Sequence, residues 1–147
     1  MNTELKQIPL KILLAEDDRD DRFFFEKALK EINIGTQLAT VNDGDELMDY
    51  LFKNIHQLPD IIFLDLSMPR KTGYECLIEM KENILLKEIP VVMFSTFYAR
   101  DINYEKNITD MLDEIGAHDH IRKPGSFEQL KIVIKDALDK IIEKAGS

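Results

Sequence analysis

Residues 61–73 read IIFLDLSMPRKTG, and that order decides the fold. Four apolar residues run without alternation, a carboxylate follows, and Met68-Pro69 with Gly73 then turn the chain away. A continuous apolar run of this length suits a strand buried on both faces of a parallel sheet, where each side meets a covering helix. Residues 11–15 (KILLA) and 90–94 (PVVMF) have the same character. Residues 118–121 form a weaker run, and residues 37–41 are more polar, as an edge strand should be. Apolar residues between these runs recur at three and four, the spacing of a helix face. They are Phe25, Ala28, Leu29 and Ile32, stopping near Gly35; Leu47, Tyr50, Leu51 and Phe52; Cys76, Leu77 and Met80; and Met111, Leu112 and Ile115, closing at Gly116. The final stripe is Leu130, Val133, Ile134, Ala137, Leu138 and Ile141, opened by the capping-box pair Ser126 and Gln129. Phe23-Phe24-Phe25 reads as mostly core, with one ring turned outward or toward the neighbouring helix. Strand and helix alternate five times, which predicts an α/β fold: a doubly wound, five-stranded parallel sheet with right-handed crossovers.

At 147 residues the chain is expected to be one domain, with a core over about residues 10–142 and no output domain. The composition, 44% hydrophobic and 32% charged, is globular. No apolar run approaches the roughly 20 residues of a membrane span. The opening MNTELKQIPL has no apolar signal core, so a cytoplasmic protein with no membrane role is expected. Cys76 is the one cysteine, which excludes an intramolecular disulfide and a thiolate zinc site. A net charge of −9 repels phosphate backbones and argues against a nucleic-acid partner.

In a doubly wound sheet, functional groups gather beyond the carboxyl ends of the strands. Glu16, Asp17 and Asp18 follow the first strand, Asp65 ends the third, Ser95 and Thr96 end the fourth, and Lys123 with Pro124 follows the fifth. Two carboxylates about 4 Å apart repel by roughly 4 kcal/mol at an effective dielectric near 20. A hard divalent cation relieves that, and magnesium favours carboxylates together with phosphate oxygens and water. Glu16, Asp17 and Asp65 supply the ligand atoms, Lys123 a point charge for a phosphoryl oxygen, and Ser95 a hydroxyl donor. Phosphoryl transfer asks mainly for such positioning and neutralisation, and an aspartate can be its nucleophile.

The pieces AEDD, FLDLSMPRKTG, VVMFST and IRKP, in this order and each at a strand end, resemble the receiver domain of two-component response regulators. The resemblance covers about residues 10–142 and implies the flavodoxin-like, CheY-like form of the fold. It implies that Glu16 and Asp17 are the acidic metal pair, that Asp65 is the phosphoacceptor, and that Ser67 lends its backbone carbonyl to Mg2+ or Mn2+. Ser95, beside Thr96, takes the place of the family's hydroxyl and Lys123 that of its lysine. A cis bond between Lys123 and Pro124 is also implied. The partners implied are a sensor histidine kinase or phosphotransfer protein and a downstream protein target, with a homodimer left open. The aspartates after the first strand resemble those of regulators paired with bacteriophytochrome-type kinases.

The sequence departs from the family pattern in three places. His120 stands where the family has a Tyr or Phe that swings with the hydroxyl. Phe97, two beyond Ser95, is expected to shield the acyl phosphate and slow its hydrolysis. Residues 97–107 exceed the usual link and are expected to lengthen the fourth helix or form a loop over the site. An alternative class is a magnesium-dependent phosphohydrolase, but its general-acid aspartate would fall at position 67, where Ser67 stands. A pseudo-receiver scaffold would lack the acceptor, the acid pair or the lysine.

Overall fold

The structure is a computed structural model that describes residues 8–95 and 102–146. Its elements alternate as β1 (Leu10–Ala15), α1 (Arg19–Glu31), β2 (Thr36–Val41), α2 (Gly44–Lys53), β3 (Ile61–Asp65), α3 (Gly73–Lys81), β4 (Val91–Ser95), α4 (Ile102–Ile115), β5 (Asp119–Arg122) and α5 (Phe127–Gly146). The strands form one parallel sheet in the order β2-β1-β3-β4-β5. This is the expected doubly wound arrangement, with the polar β2 at an edge.

Side chains on a strand alternate between faces, and here both sets are apolar. Leu13, Ile62, Leu64, Val91 and Met93 pack with Leu47, Leu51, Leu77, Met80 and Leu112, so α2, α3 and α4 cover one face. Ile12, Leu14, Phe63, Val92 and Phe94 pack with Phe25, Leu29, Ile134 and Leu138, so α1 and α5 cover the other. The Phe25 ring meets Phe63 edge-on, with centroids 5.0 Å apart, and Phe63 stacks on Phe94 at 5.6 Å. Of the phenylalanine triplet only Phe25 is core. Phe23 is 59% exposed and faces outward, while Phe24, 44% exposed, turns toward α5, its ring centroid 6.4 Å from that of Phe127. The helix stripe repeats at three and four, and three consecutive rings cannot all lie on it.

The winding reverses between β1 and β3, which opens a crevice beyond their carboxyl ends. Local signals fix the segments around that crevice. Asp18 caps α1 by accepting from the Asp21 amide at 2.9 Å, and Thr72 with Glu75 forms a full capping box on α3. Ser126 Oγ accepts from the Gln129 amide at 3.2 Å, as the sequence indicated. Gly73 donates its amide to the Leu66 carbonyl at 3.0 Å. A Cβ there would stand 2.3 Å from the Asp65 carbonyl oxygen, so the loop returns this close only with glycine.

Two expectations need correction or restriction. Every peptide bond among the described residues is trans, so the Lys123–Pro124 bond is not cis. A prolyl amide favours trans by roughly 0.5–1 kcal/mol; the preceding amide, that of Lys123, donates to the Ser95 carbonyl at 2.8 Å. The long segment after β4 enters α4 from Ile102, so it extends the helix over that part. Thr96 and Phe97 lie outside the described residues.

Candidate functional site

Glu16 is the residue after β1, and its amide bonds the Val41 carbonyl at 3.0 Å. Asp65 ends β3, in register with Phe94 of β4, and Leu66 continues the ladder to the Phe94 carbonyl at 2.9 Å. The sheet therefore delivers both carboxylates to one edge, and both are buried. Asp17 is exposed beside them. Glu16, Asp17 and Asp65 each offer a carboxylate oxygen, and these oxygens lie within 4.8 Å of one another. Arg22 clamps the segment from α1, its Nη1 donating to the Glu16 and Asp17 carbonyls at 2.8 and 3.1 Å. The Ser67 amide donates to Asp65 Oδ1 at 3.1 Å and fixes that carboxylate from the loop side.

Lys123 closes the pocket. Its Nζ lies 2.7 Å from Glu16 Oε1, 3.0 Å from Asp21 Oδ2 and 3.5 Å from Asp65 Oδ2. Burial pushes the Glu16 carboxyl up to about 8, with Lys123 opposing and the neighbouring Asp65 adding to the rise. Burial also raises Asp65, although the hydrogen bond from Glu16 and the charge of Lys123 pull the other way. The pair therefore shares a proton near neutral pH. Burial alone would lower Lys123, but its hydrogen bonds to Glu16 and Asp21 outweigh it and raise the ammonium above its usual value.

This is a donor set suited to a hard cation. It offers three carboxyl oxygens, two of them buried, and a resident ammonium beside them. The shared proton yields a test. A divalent ion held by these carboxylates would displace that proton, so apparent Mg2+ affinity should rise about tenfold per pH unit between pH 6 and 8 and level off above. Calorimetric titration across that range checks it, and a flat profile would contradict it. The metal-free fold behaves in the opposite sense. The folded Glu16 holds its proton more tightly than the unfolded group, so its contribution to stability is full below about 4.5 and is lost as pH rises through about 8.

Ser95 falls at the same edge, and His120 lies beside it on β5. Ser95 ends β4, is buried, and its Oγ lies 2.8 Å from His120 Nε2 on β5. His120 Nδ1 lies 2.9 Å from Thr109 Oγ1 on α4. Asp21 and Thr109 were not singled out in the sequence. Asp21 lies in the charged run 19–22, which reads as a solvated helix start, and only the chain's return at residue 123 shows that it grips Lys123. Cys76 is buried, its thiol pushed up to about 12 by that burial, and it plays a packing role under Gly44. No helix among the described residues is long and apolar enough to cross a membrane.

The response regulator receiver domain, as a family model, matches residues 12–135. The chain belongs to this family. Among receivers, Rcp1 of Synechocystis sp. is 38% identical over 98 residues, a match spanning 63% of this chain and 66% of Rcp1. PilG of Pseudomonas aeruginosa is 32% identical over 126 residues, covering 86% of this chain and 85% of PilG. The phosphorylated cyanobacterial phytochrome response regulator RcpA superposes with a TM-score of 0.76 at 30% identity, covering 93% of this chain and 96% of RcpA. The Mn2+-bound form of Rcp1 gives a TM-score of 0.74 at 29% identity, covering 87% of this chain and 91% of that one. This receiver is thus a signalling phosphoacceptor, a module phosphorylated by histidine kinases that acts on downstream targets.

Proposed function

We propose that Asp65 accepts the phosphoryl group and that Glu16, Asp17, Asp65 and the Ser67 carbonyl hold Mg2+ or Mn2+ during the transfer. The observation that carries this reading is the meeting of three carboxylates within 4.8 Å of one another, with the Lys123 ammonium 3.5 Å from Asp65 Oδ2. A bound divalent ion supplies positive charge to the phosphoryl oxygens. The chain does the rest. An Asp65 carboxylate oxygen forms the new bond to phosphorus as the bond to the donor's leaving group breaks. Ser67 N–H fixes the other carboxylate oxygen. Lys123, on a flexible stem already beside Asp65, turns its ammonium to the phosphoryl group, and Ser95 donates its hydroxyl to another oxygen.

The donor is a sensor histidine kinase or phosphotransfer protein, and a phytochrome-type kinase is the narrower reading. RcpA and the bacteriophytochrome response regulator RtBRR, the latter 29% identical with a TM-score of 0.71, support it. The acidic surface, net charge −9, favours a protein target over nucleic acid and fits a cytoplasmic protein. Ser67 occupies the position where a phosphohydrolase carries its general acid, and a hydroxyl does not fill that role near neutral pH. This supports a single-transfer acceptor rather than a turnover enzyme.

Acetyl phosphate with Mg2+ should add the mass of one phosphoryl group to the intact chain within minutes, and chelation should prevent it. No uptake with saturating Mg2+ and donor would contradict the reading. Steady multiple turnover on small phosphate esters would favour the phosphohydrolase instead.

A further inference from the structure

Three side chains from three elements form a continuous hydrogen-bonded line away from the phosphoacceptor edge. Ser95 Oγ on β4 meets His120 Nε2 at 2.8 Å, and His120 Nδ1 meets Thr109 Oγ1 on α4 at 2.9 Å. We propose that Thr109 is a positioning residue, and that Ser95, His120 and Thr109 form a relay through which α4 senses the phosphoryl group by reversal of hydrogen-bond direction. The proposal rests on the reading that Ser95 donates to a phosphoryl oxygen carried by Asp65.

The chemistry of the three groups defines the relay. A neutral imidazole has one N–H and one bare nitrogen, so it donates at one end and accepts at the other. A hydroxyl can do either. Without a phosphoryl group, Ser95 gives its proton to Nε2, the ring carries its hydrogen on Nδ1, and Thr109 accepts. The Thr109 proton then goes to a carbonyl one turn back, the bond that helical threonines commonly make. Once the Ser95 proton is committed to a phosphoryl oxygen, Ser95 can only accept from the ring. The hydrogen must then sit on Nε2, and the bare Nδ1 draws the Thr109 proton away from the helix backbone. No ring swing is needed, which suits an imidazole held at both nitrogens. Ser95 is buried, and His120 and Thr109 are half-buried, so water competes weakly for these bonds.

Ring nitrogen NMR on the full chain with 15N-labelled histidine reads the relay directly. Wild type, Thr109→Ser and Thr109→Val are each measured alone and with Mg2+ plus fluoroberyllate as the phosphoryl mimic, its binding scored separately by 19F signals. Wild type and Thr109→Ser should move from the Nδ1–H to the Nε2–H form when the mimic binds. Thr109→Val should bind the mimic, hold the Nε2–H form throughout, and show about half or less of the wild-type amide shifts across residues 106–112. A ring signal unchanged by Thr109→Val, or one tautomer or an imidazolium in both states of the wild type with the mimic bound, overturns the relay alone. Absence of bound fluoroberyllate overturns the phosphoacceptor reading and the relay with it.

Discussion

Asp65→Asn should abolish phosphoryl uptake and at the same time make the metal-free protein more stable. The two effects have one cause. Asp65 is a carboxylate only 6% exposed, beside Glu16 at 3%, and burial raises both above the ordinary carboxylate range. Asparagine keeps the shape, and its Oδ1 can still accept the Ser67 amide now seen at 3.1 Å. It cannot form an acyl phosphate, because the amide nitrogen replaces the nucleophilic oxygen. Removing one of the crowded charges lets Glu16 ionise more readily and pair fully with Lys123 at 2.7 Å. The gain is roughly 1–2 kcal/mol near pH 8, on the scale of one pKa unit per 1.36 kcal/mol. For a chain of this length that corresponds to a rise in Tm of about 2–4 °C per kcal/mol. The gain shrinks toward low pH, where the wild-type carboxylates hold protons. Thermal melts at pH 5 and 8 with intact-mass measurement check both halves, and a variant that labels like wild type or melts lower at pH 8 would refute them.

Lys123→Met has the opposite character. The aliphatic stem helps line a cavity of about 250 Å³ together with Leu14, Phe94 and Phe127, and methionine preserves that packing. The ammonium is lost, and Glu16 and Asp65 are left buried without their counter-charge, beside a half-exposed Asp21. Removing one partner of a buried ion pair leaves an uncompensated charge, and a loss of about 2–4 kcal/mol follows at pH 9. The loss should diminish below pH 8, where Glu16 takes up its proton. Lys123 itself, raised above 10.5 in the fold, is charged throughout this range, so its own titration does not blur the result. Saturating Mg2+ should restore most of the lost stability, because it supplies the missing positive charge. Denaturant melts with and without Mg2+ measure this. A variant as stable as wild type at pH 9 would mean that the ammonium does not balance the carboxylates.

The parts of the fold legible in the sequence were those with a strong one-dimensional pattern. Residues 61–64 and 91–94 announce strands because both their faces are buried, and β2 declares itself an edge by its polarity. The acid pair, Asp65, Ser95 and Lys123 were legible because each ends a strand, and strand ends in this architecture share one crevice. Asp21 and Thr109 were not, because each bond depends on how two distant segments register in space: α1 against the β5–α5 loop, and α4 against β5. Nothing local marks Asp21 apart from Asp20, or Thr109 from an ordinary helical threonine. The phenylalanine triplet was legible only in part, since adjacent residues on a helix diverge by about 100° and only Phe25 falls on the buried stripe. The bond before Pro124 was inferred from family likeness alone, with no local signal to support it, and it is trans.

The central claim is that the pocket formed by Glu16, Asp17, Lys123 and Asp65 makes a covalent acceptor of one oxygen on Asp65. Borohydride reduction of the phosphorylated chain, followed by peptide sequencing in the mass spectrometer, locates an acyl phosphate by converting the modified aspartate to homoserine. Homoserine should appear at position 65 and nowhere else. Homoserine at position 17 or 21, or 5-hydroxynorvaline at position 16, with Asp65 intact, or a phosphoryl group that resists reduction and maps to a serine or histidine, would contradict it.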